Sequence, residues 1–190
     1  MSATEPRPLR ADARRNRERI VEAARGLFAE CGQAAQMDDI ARAAGVGVGT
    51  VYRHFPTKDA LIGELLRVKF HGHAEVARRW TETAGGWAAF EGFLRESFTA
   101  MAGDQTLQRM MWVTNDAAVA HAEDARLALV VVVQELIDGA VAEGRLRPDF
   151  DVDDMPALMC AIGGVMSAQN RHVRRWDHIV EIVIDGLRAR

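Results

Sequence analysis

Cysteine is nearly absent from this 190-residue sequence. Only Cys31 and Cys160 occur, each inside an apolar helical pattern, so no disulfide framework is expected and a reducing cytoplasm is the natural setting. Long apolar runs are missing too. The longest, Leu127 to Val133, has seven residues, far short of the roughly 20 needed to span a bilayer, which excludes a membrane partner. Met1 to Arg19 is polar and arginine-rich with no apolar stretch, so it does not read as a signal peptide. Sustained period-2 alternation is lacking, which excludes an extensive sheet. No glycine-rich phosphate loop, Gly-x-Ser-x-Gly elbow or paired-cysteine zinc pattern is present, so no catalytic residue, cofactor or metal is expected. His71 with Glu75 and His121 with Asp124 have helical spacing but read as surface pairs.

What is present is an ordinary globular mixture, 48% hydrophobic and 27% charged, in a chain long enough to bury a core unaided. The net charge of −3 is unevenly spread. Residues 1–58 carry ten Lys and Arg against seven acids, whereas residues 59–190 carry fourteen against twenty. A polyanion partner would therefore meet the N-terminal third. The fold class is all-α. After an arm of about ten residues containing Pro6 and Pro8, Ile20, Ala23, Ala24, Leu27, Phe28 and Cys31 form one amphipathic stripe of a helix over 11–31 that Gly32 ends. Short helices at 37–44 and 48–55 precede a long one from Thr57 to about Thr81, capped by Thr57. Beyond the Ala84-Gly85-Gly86 break, helices are expected at about 87–102, 105–118, 123–143, 153–170 and 175–188, making about nine in all.

The informative segment is QMDDIARAAGVGVGTVYRHFPTK, Gln36 to Lys58. Two short helices flank Gly45-Val46, and alanines at 41, 43 and 44 let them approach closely, as in a helix-turn-helix over about 36–55. Ile40, Ala44, Val46, Val51 and Phe55 would pack on the Ile20–Phe28 stripe. The opposite face then presents Gly47, Gly49, Thr50, Tyr52, Arg53 and His54, and Lys58 adds a cation at the start of the long helix. Such a helix fits a DNA major groove, and these side chains are donors to phosphate oxygens. On spacing alone, a plain αα-corner with solvated polar residues is equally consistent.

The run from Ile20 to Leu61 resembles the N-terminal domain of the tetracycline-repressor (TetR) family of bacterial transcription regulators. The resemblance is carried by Ile20…Ala23-Ala24…Leu27-Phe28…Gly32, by Met37-Asp38-Asp39-Ile40-Ala41, by Ala44-Gly45-Val46, and by the unbroken run Gly49 to Leu61. It implies backbone contacts from Thr50, Tyr52, His54 and Lys58, and base reading at Gly47, Val48, Gly49 and Arg53. Gln36 stands where the family usually has a Ser or Thr cap, so Asp38 or Asp39 must help. Val48 stands where a lysine is common. The arginines at 7, 10, 14, 15, 17 and 19 would form either a groove-entering arm or a solvated helix face paired with Glu18 and Glu22; the solvated face is the preferred reading for Arg17 and Arg19, and both readings stay open for Arg7 to Arg15.

The resemblance also implies a helical effector-binding body. Trp80, Phe90, Phe93, Phe98, Met101, Met110, Met111, Trp112 and Val131 are its candidate pocket residues, against the plainer reading that they are core. No charged residue repeats as an anion clamp would require, which favours an apolar or aromatic effector. The last two helices have apolar stripes wider than one buried face. Met155, Met159, Ile162, Gly163 and Met166 on the first, with Val180, Val183 and Leu187 on the second, are candidates for a two-fold interface. The domains are thus 11–57 for DNA binding and 58–190 for effector binding and dimerisation. The leading function is a homodimeric repressor on a palindromic double-stranded operator, released by a small molecule. The alternative is an all-α small-molecule-binding protein or enzyme without a DNA-binding role.

Overall fold

Ile20, Ala24 and Phe28 lie one helical turn apart, and in the computed structural model all three are fully buried on one face of α1 (Arg7–Cys31). The structure describes residues 7–103, 115–166 and 175–190, with side chains from Ala11 onward. The helix starts at Arg7, four residues before the expected point. Pro8 falls in its first turn, where the ring already has a helical φ and its missing N–H costs no hydrogen bond. At the other end Cys31 is exposed, not part of the buried stripe, because a 3₁₀ turn (Gly32–Ala34) carries the chain away just beyond it.

Helix α2 (Met37–Ala44) stops at Gly45, whose φ of +62° lets its N–H return to the Ala41 and Arg42 carbonyls. Helix α3 (Val48–His54) ends at Phe55, held extended ahead of Pro56. Thr57 then caps α4 (Lys58–Thr83), its side chain accepting the Ala60 N–H at 3.0 Å. The body adds α5 (Gly86–Gly103), α6 (Asp116–Ala120), α7 (Glu123–Ala142), α8 (Asp154–Met166) and α9 (Trp176–Leu187). Among the described residues there are nine helices and no strand, only an isolated antiparallel bridge between Leu146 and Arg188. Arg188 turns extended to form that bridge, so α9 ends at Leu187 and not at 188.

The helix expected at 105–118 is interrupted. Residues 104–114 lie outside the described residues, and α6 begins afresh because Asn115, in an extended conformation, accepts the Ala118 N–H at 2.8 Å. The expected helix at 153–170 is described only to Met166; residues 167–174 also lie outside.

Two apolar clusters form. One joins α1, α2 and α3 to Leu61, Ile62, Leu65 and Leu66 of α4, and takes in Ala118 and Ala122 from α6 and the turn after it. The other joins Ala77 of α4 to α5, α7, α8 and α9 around Trp87, Phe90, Phe98 and Leu136. The cores therefore divide inside α4, between Leu66 and Ala77, and that helix belongs to both. Residue 63 must be small for α6 to seat on it: a Cβ there would lie 2.8 Å from the Ala118 oxygen.

Candidate nucleic-acid interface

Helix α3 is seated by Val51, which is 0% exposed, and its neighbour Phe55 is buried as well. The rest of the helix turns outward. Gly47, Val48, Gly49, Tyr52 and Arg53 are exposed, and Thr50 and His54 are half-buried. Residues 47–50 and 52–54, which the sequence places at a DNA surface, thus all reach solvent around the one buried anchor, Val51. Arg53 Nη2 donates to Thr50 Oγ1 at 3.3 Å, so that guanidinium lies along the helix. Lys58 Nζ donates to the Gln33 carbonyl at 2.6 Å and sits 5.6 Å from the Phe28 ring centre. That ties the start of α4 to the turn after α1.

Gln36 does not cap α2 with its side chain; its amide donates to the Ala34 carbonyl at 3.0 Å. Of the two acids expected to help, Asp39 accepts from Arg42 at 2.7 Å and Asp38 is exposed. Gln36, Met37, Asp38, Asp39, Tyr52 and Lys58 border one open cleft. Its lysine, tyrosine and glutamine amide are side-chain donors it can offer a phosphate, beside two carboxylates that oppose one.

The arginines of α1 divide into two groups. Arg14 pairs with Glu18 and Arg15 with Asp12 on the solvated face. Arg17 and Arg19 do not pair with Glu18 and Glu22. Arg17 reaches 47 residues along the chain to Glu64 at 2.6 Å and lies 5.2 Å over the Phe55 ring, while Arg19 donates to the Gly45 carbonyl at 3.2 Å. Arg17 thus ties α1 to α4 and to the end of α3, and Arg19 ties α1 to the turn between α2 and α3. Glu64, which the sequence reading passed over, is the counterpart of Arg17 and also accepts two hydrogen bonds from Arg67. Burial alone would raise its carboxyl, but the hydrogen bonds and charges of Arg67 and Arg17 outweigh that and hold its pKa at about 2. The signal was a lone acid inside Leu61-Ile62-Gly63-Glu64-Leu65-Leu66.

In the body, Phe90, Phe93, Phe98 and Met101 are core. Trp80 is half-buried, donates from Nε1 to Glu96 at 3.0 Å, and lays its ring on Gly92. Met110, Met111 and Trp112 lie outside the described residues. Val131 is 59% exposed: the α7 run turns Val132 and Val133 inward and leaves Leu127 and Val131 on the outer side. Two polar groups of the body, buried Ser97 and half-buried His73, stand apart from these expectations. Ser97 is buried with no hydrogen-bond partner for its hydroxyl among the described residues. His73 has its pKa lowered to about 4 by burial and then by the Lys69 charge.

Of the proposed interface residues, Met155, Ile162, Gly163, Val180 and Leu187 are buried within the subunit, and Met159, Met166 and Val183 partly so. Ile182 is the large apolar side chain that α9 leaves outside, at 53%. Among the described residues no group of three metal-ligating side chains occurs, and no helix is long and apolar enough to cross a membrane.

Comparison with known proteins covers both clusters. Residues 20–65 match the model for bacterial regulatory proteins of the tetR family, and residues 87–189 match the C-terminal domain of SbtR-like transcriptional regulators. A solved TetR transcription regulatory protein from Mycobacterium vanbaalenii is 36% identical over 96% of this chain and 100% of its own, with a TM-score of 0.60. A TetR transcriptional regulator from Streptomyces coelicolor is 28% identical over 91% and 98%, with a TM-score of 0.58. The HTH-type transcriptional repressor KstR2 of Mycobacterium tuberculosis is 26% identical over 147 residues, 72% of each chain.

Proposed function

Because the chain belongs to the TetR family of bacterial regulatory proteins and is a DNA-binding transcriptional regulator, we propose that it is a cytoplasmic homodimeric repressor of a palindromic operator. Residues 11–57 form the DNA-binding domain and residues 58–190 the effector-binding and dimerisation domain. Thr50, Tyr52, His54 and Lys58 hold the phosphate backbone, while Gly47, Val48, Gly49 and Arg53 face the base edges. The observation that carries this reading is the exposed side of α3, kept free of core duties by the single anchor Val51. A two-fold dimer presents two such helices to two half-sites.

Release follows from α4 belonging to both cores. An apolar or aromatic small molecule lodged in the body near Trp80 and α5 repositions α6, which sits on α4 at Gly63 and is tied to Asp59 by the Asn115 amide at 3.0 Å. The effector must bind the displaced arrangement better than the DNA-competent one, or it shifts nothing.

Footprinting on the DNA flanking the coding sequence, followed by titration at several salt concentrations, tests the reading. The log–log slope of affinity against salt is expected between about −3 and −7 for roughly eight backbone contacts per dimer, only some of which neutralise charge. Lys58→Ala should flatten it by about 1 to 2 and leave sequence preference intact. No protected site, or an unchanged slope in the variant, would remove the operator reading or Lys58's role in it respectively.

A further inference from the structure

Gly47, Val48 and Gly49 form a patch that the fold itself has no use for. Gly47 has a φ of −68°, open to any residue, and sits at the N-cap of α3, where a Ser or Thr would add a hydrogen bond that is missing here. Gly49 lies inside the helix, where glycine is the poorer choice, and a Cβ built on it meets nothing within 4 Å. A Cβ on Gly47 would come no nearer than 4.0 Å, to Thr50 Oγ1. Neither glycine is demanded by backbone conformation or by internal packing. Val48 between them is 39% exposed, and the packing of this turn is carried by Val51 and the half-buried Val46. The result is a bare backbone with one isopropyl group standing out of it, on the surface this regulator turns to DNA.

An aliphatic side chain gains nothing from phosphates. The apolar group that the major groove offers is the 5-methyl of thymine, which no other base carries. We propose that Val48 is a specificity-determining residue that reads a thymine methyl in each half-site, with Gly47 and Gly49 left bare so that the turn can come close enough for the contact. The proposal rests on the operator reading above and gives it a base: Arg53 serves one position through hydrogen bonds, and Val48 serves another through burial of methyl groups.

The test begins with a duplex enriched from a random library on the full-length wild-type chain. Each of its thymines is then replaced in turn by deoxyuridine, which keeps every hydrogen bond and removes only the methyl. One thymine per half-site is expected to weaken binding about fourfold on replacement, the worth of one buried methylene-sized group, and about fifteenfold when both half-sites are changed. Val48→Ala should bind the thymine and deoxyuridine duplexes alike. Gly49→Ala should keep or raise the thermal midpoint while weakening the enriched duplex at least tenfold, which separates a role toward DNA from one in folding. Wild-type indifference to every deoxyuridine, an enriched duplex that needs no thymine, or discrimination that survives Val48→Ala would each overturn the proposal while the operator reading stood. Failure to enrich any duplex would overturn both.

Discussion

Glu64 shows how one residue joins the DNA-binding end to the rest of the chain. It is buried on α4 and held by Arg67 one turn along its own helix and by Arg17 from α1. Its pKa of about 2 lies below the usual carboxylate value near 4.5, so the folded state favours the ionised form. The stability this contributes is fully present above about pH 4.5 and is lost as the pH falls toward 2. A shift of that size in a buried group corresponds to roughly 3 kcal/mol. Glu64→Gln should therefore be less stable than the wild type at pH 6 by about that amount, with the gap closing by pH 2 in chemical unfolding at a series of pH values. A gap that stays constant across that range would mean Glu64 acts by shape and not by charge. The Glu64–Arg67 half of this arrangement was legible in the sequence as an i, i+3 pair. The Arg17 half was not, because a partner 47 residues away is set by tertiary packing. For the same reason Arg17 and Arg19 read as surface residues until the fold brought Glu64 and the Gly45 carbonyl to them.

Elements were easiest to read where a local rule decides them. Gly32, Gly45 and Pro56 mark helix ends by backbone chemistry alone, and the α1 stripe is carried by a 3.6-residue period that needs no partner to be seen. The α6 region was harder. Asn115 interrupts an otherwise helical composition by accepting the Ala118 N–H, and the contact that matters, α6 on α4, depends on a glycine that looks like any other. Gly63 and Gly72 lie on the same helix and make that distinction testable. A Cβ on Gly72 meets nothing within 4 Å, so Gly72→Ala should raise stability by about 0.5–1 kcal/mol through chain entropy alone. On Gly63 the same methyl meets His121 and the Ala118 carbonyl, backbone that cannot rotate away. Gly63→Ala should cost about 1–3 kcal/mol, a fall of roughly 3–10 °C in thermal midpoint for a chain of this size. If both variants melt alike, the α4–α6 contact is looser than described and does not carry a signal between the two cores.

At the scale of the whole molecule, the question is what covers the outer side of the last two helices. Consecutive helical residues are about 100° apart, so Ile182, Val183 and Ile184 span roughly 200° and cannot all face one core. They are in fact distributed: Ile184 is fully buried, Val183 half-buried and Ile182 mostly outside. On α8, Ala157, Cys160 and Ala161 are exposed, small side chains that allow another helix close. Most of the apolar stripe on these helices is spent inside the subunit, because Met155, Ile162, Gly163, Val180 and Leu187 are buried there. Substituting them would damage the monomer and its assembly together. Ile182 is the position that separates the two. Ile182→Glu should keep the thermal midpoint of isolated subunits while shifting the chain toward monomer in sedimentation at tens of micromolar. Operator affinity should then fall far more than the folded fraction does, since each half-site is bound alone and the second recognition helix no longer arrives at high effective concentration. A wild-type chain that sediments as a monomer at that concentration would remove the two-fold interface, and the palindromic operator would go with it.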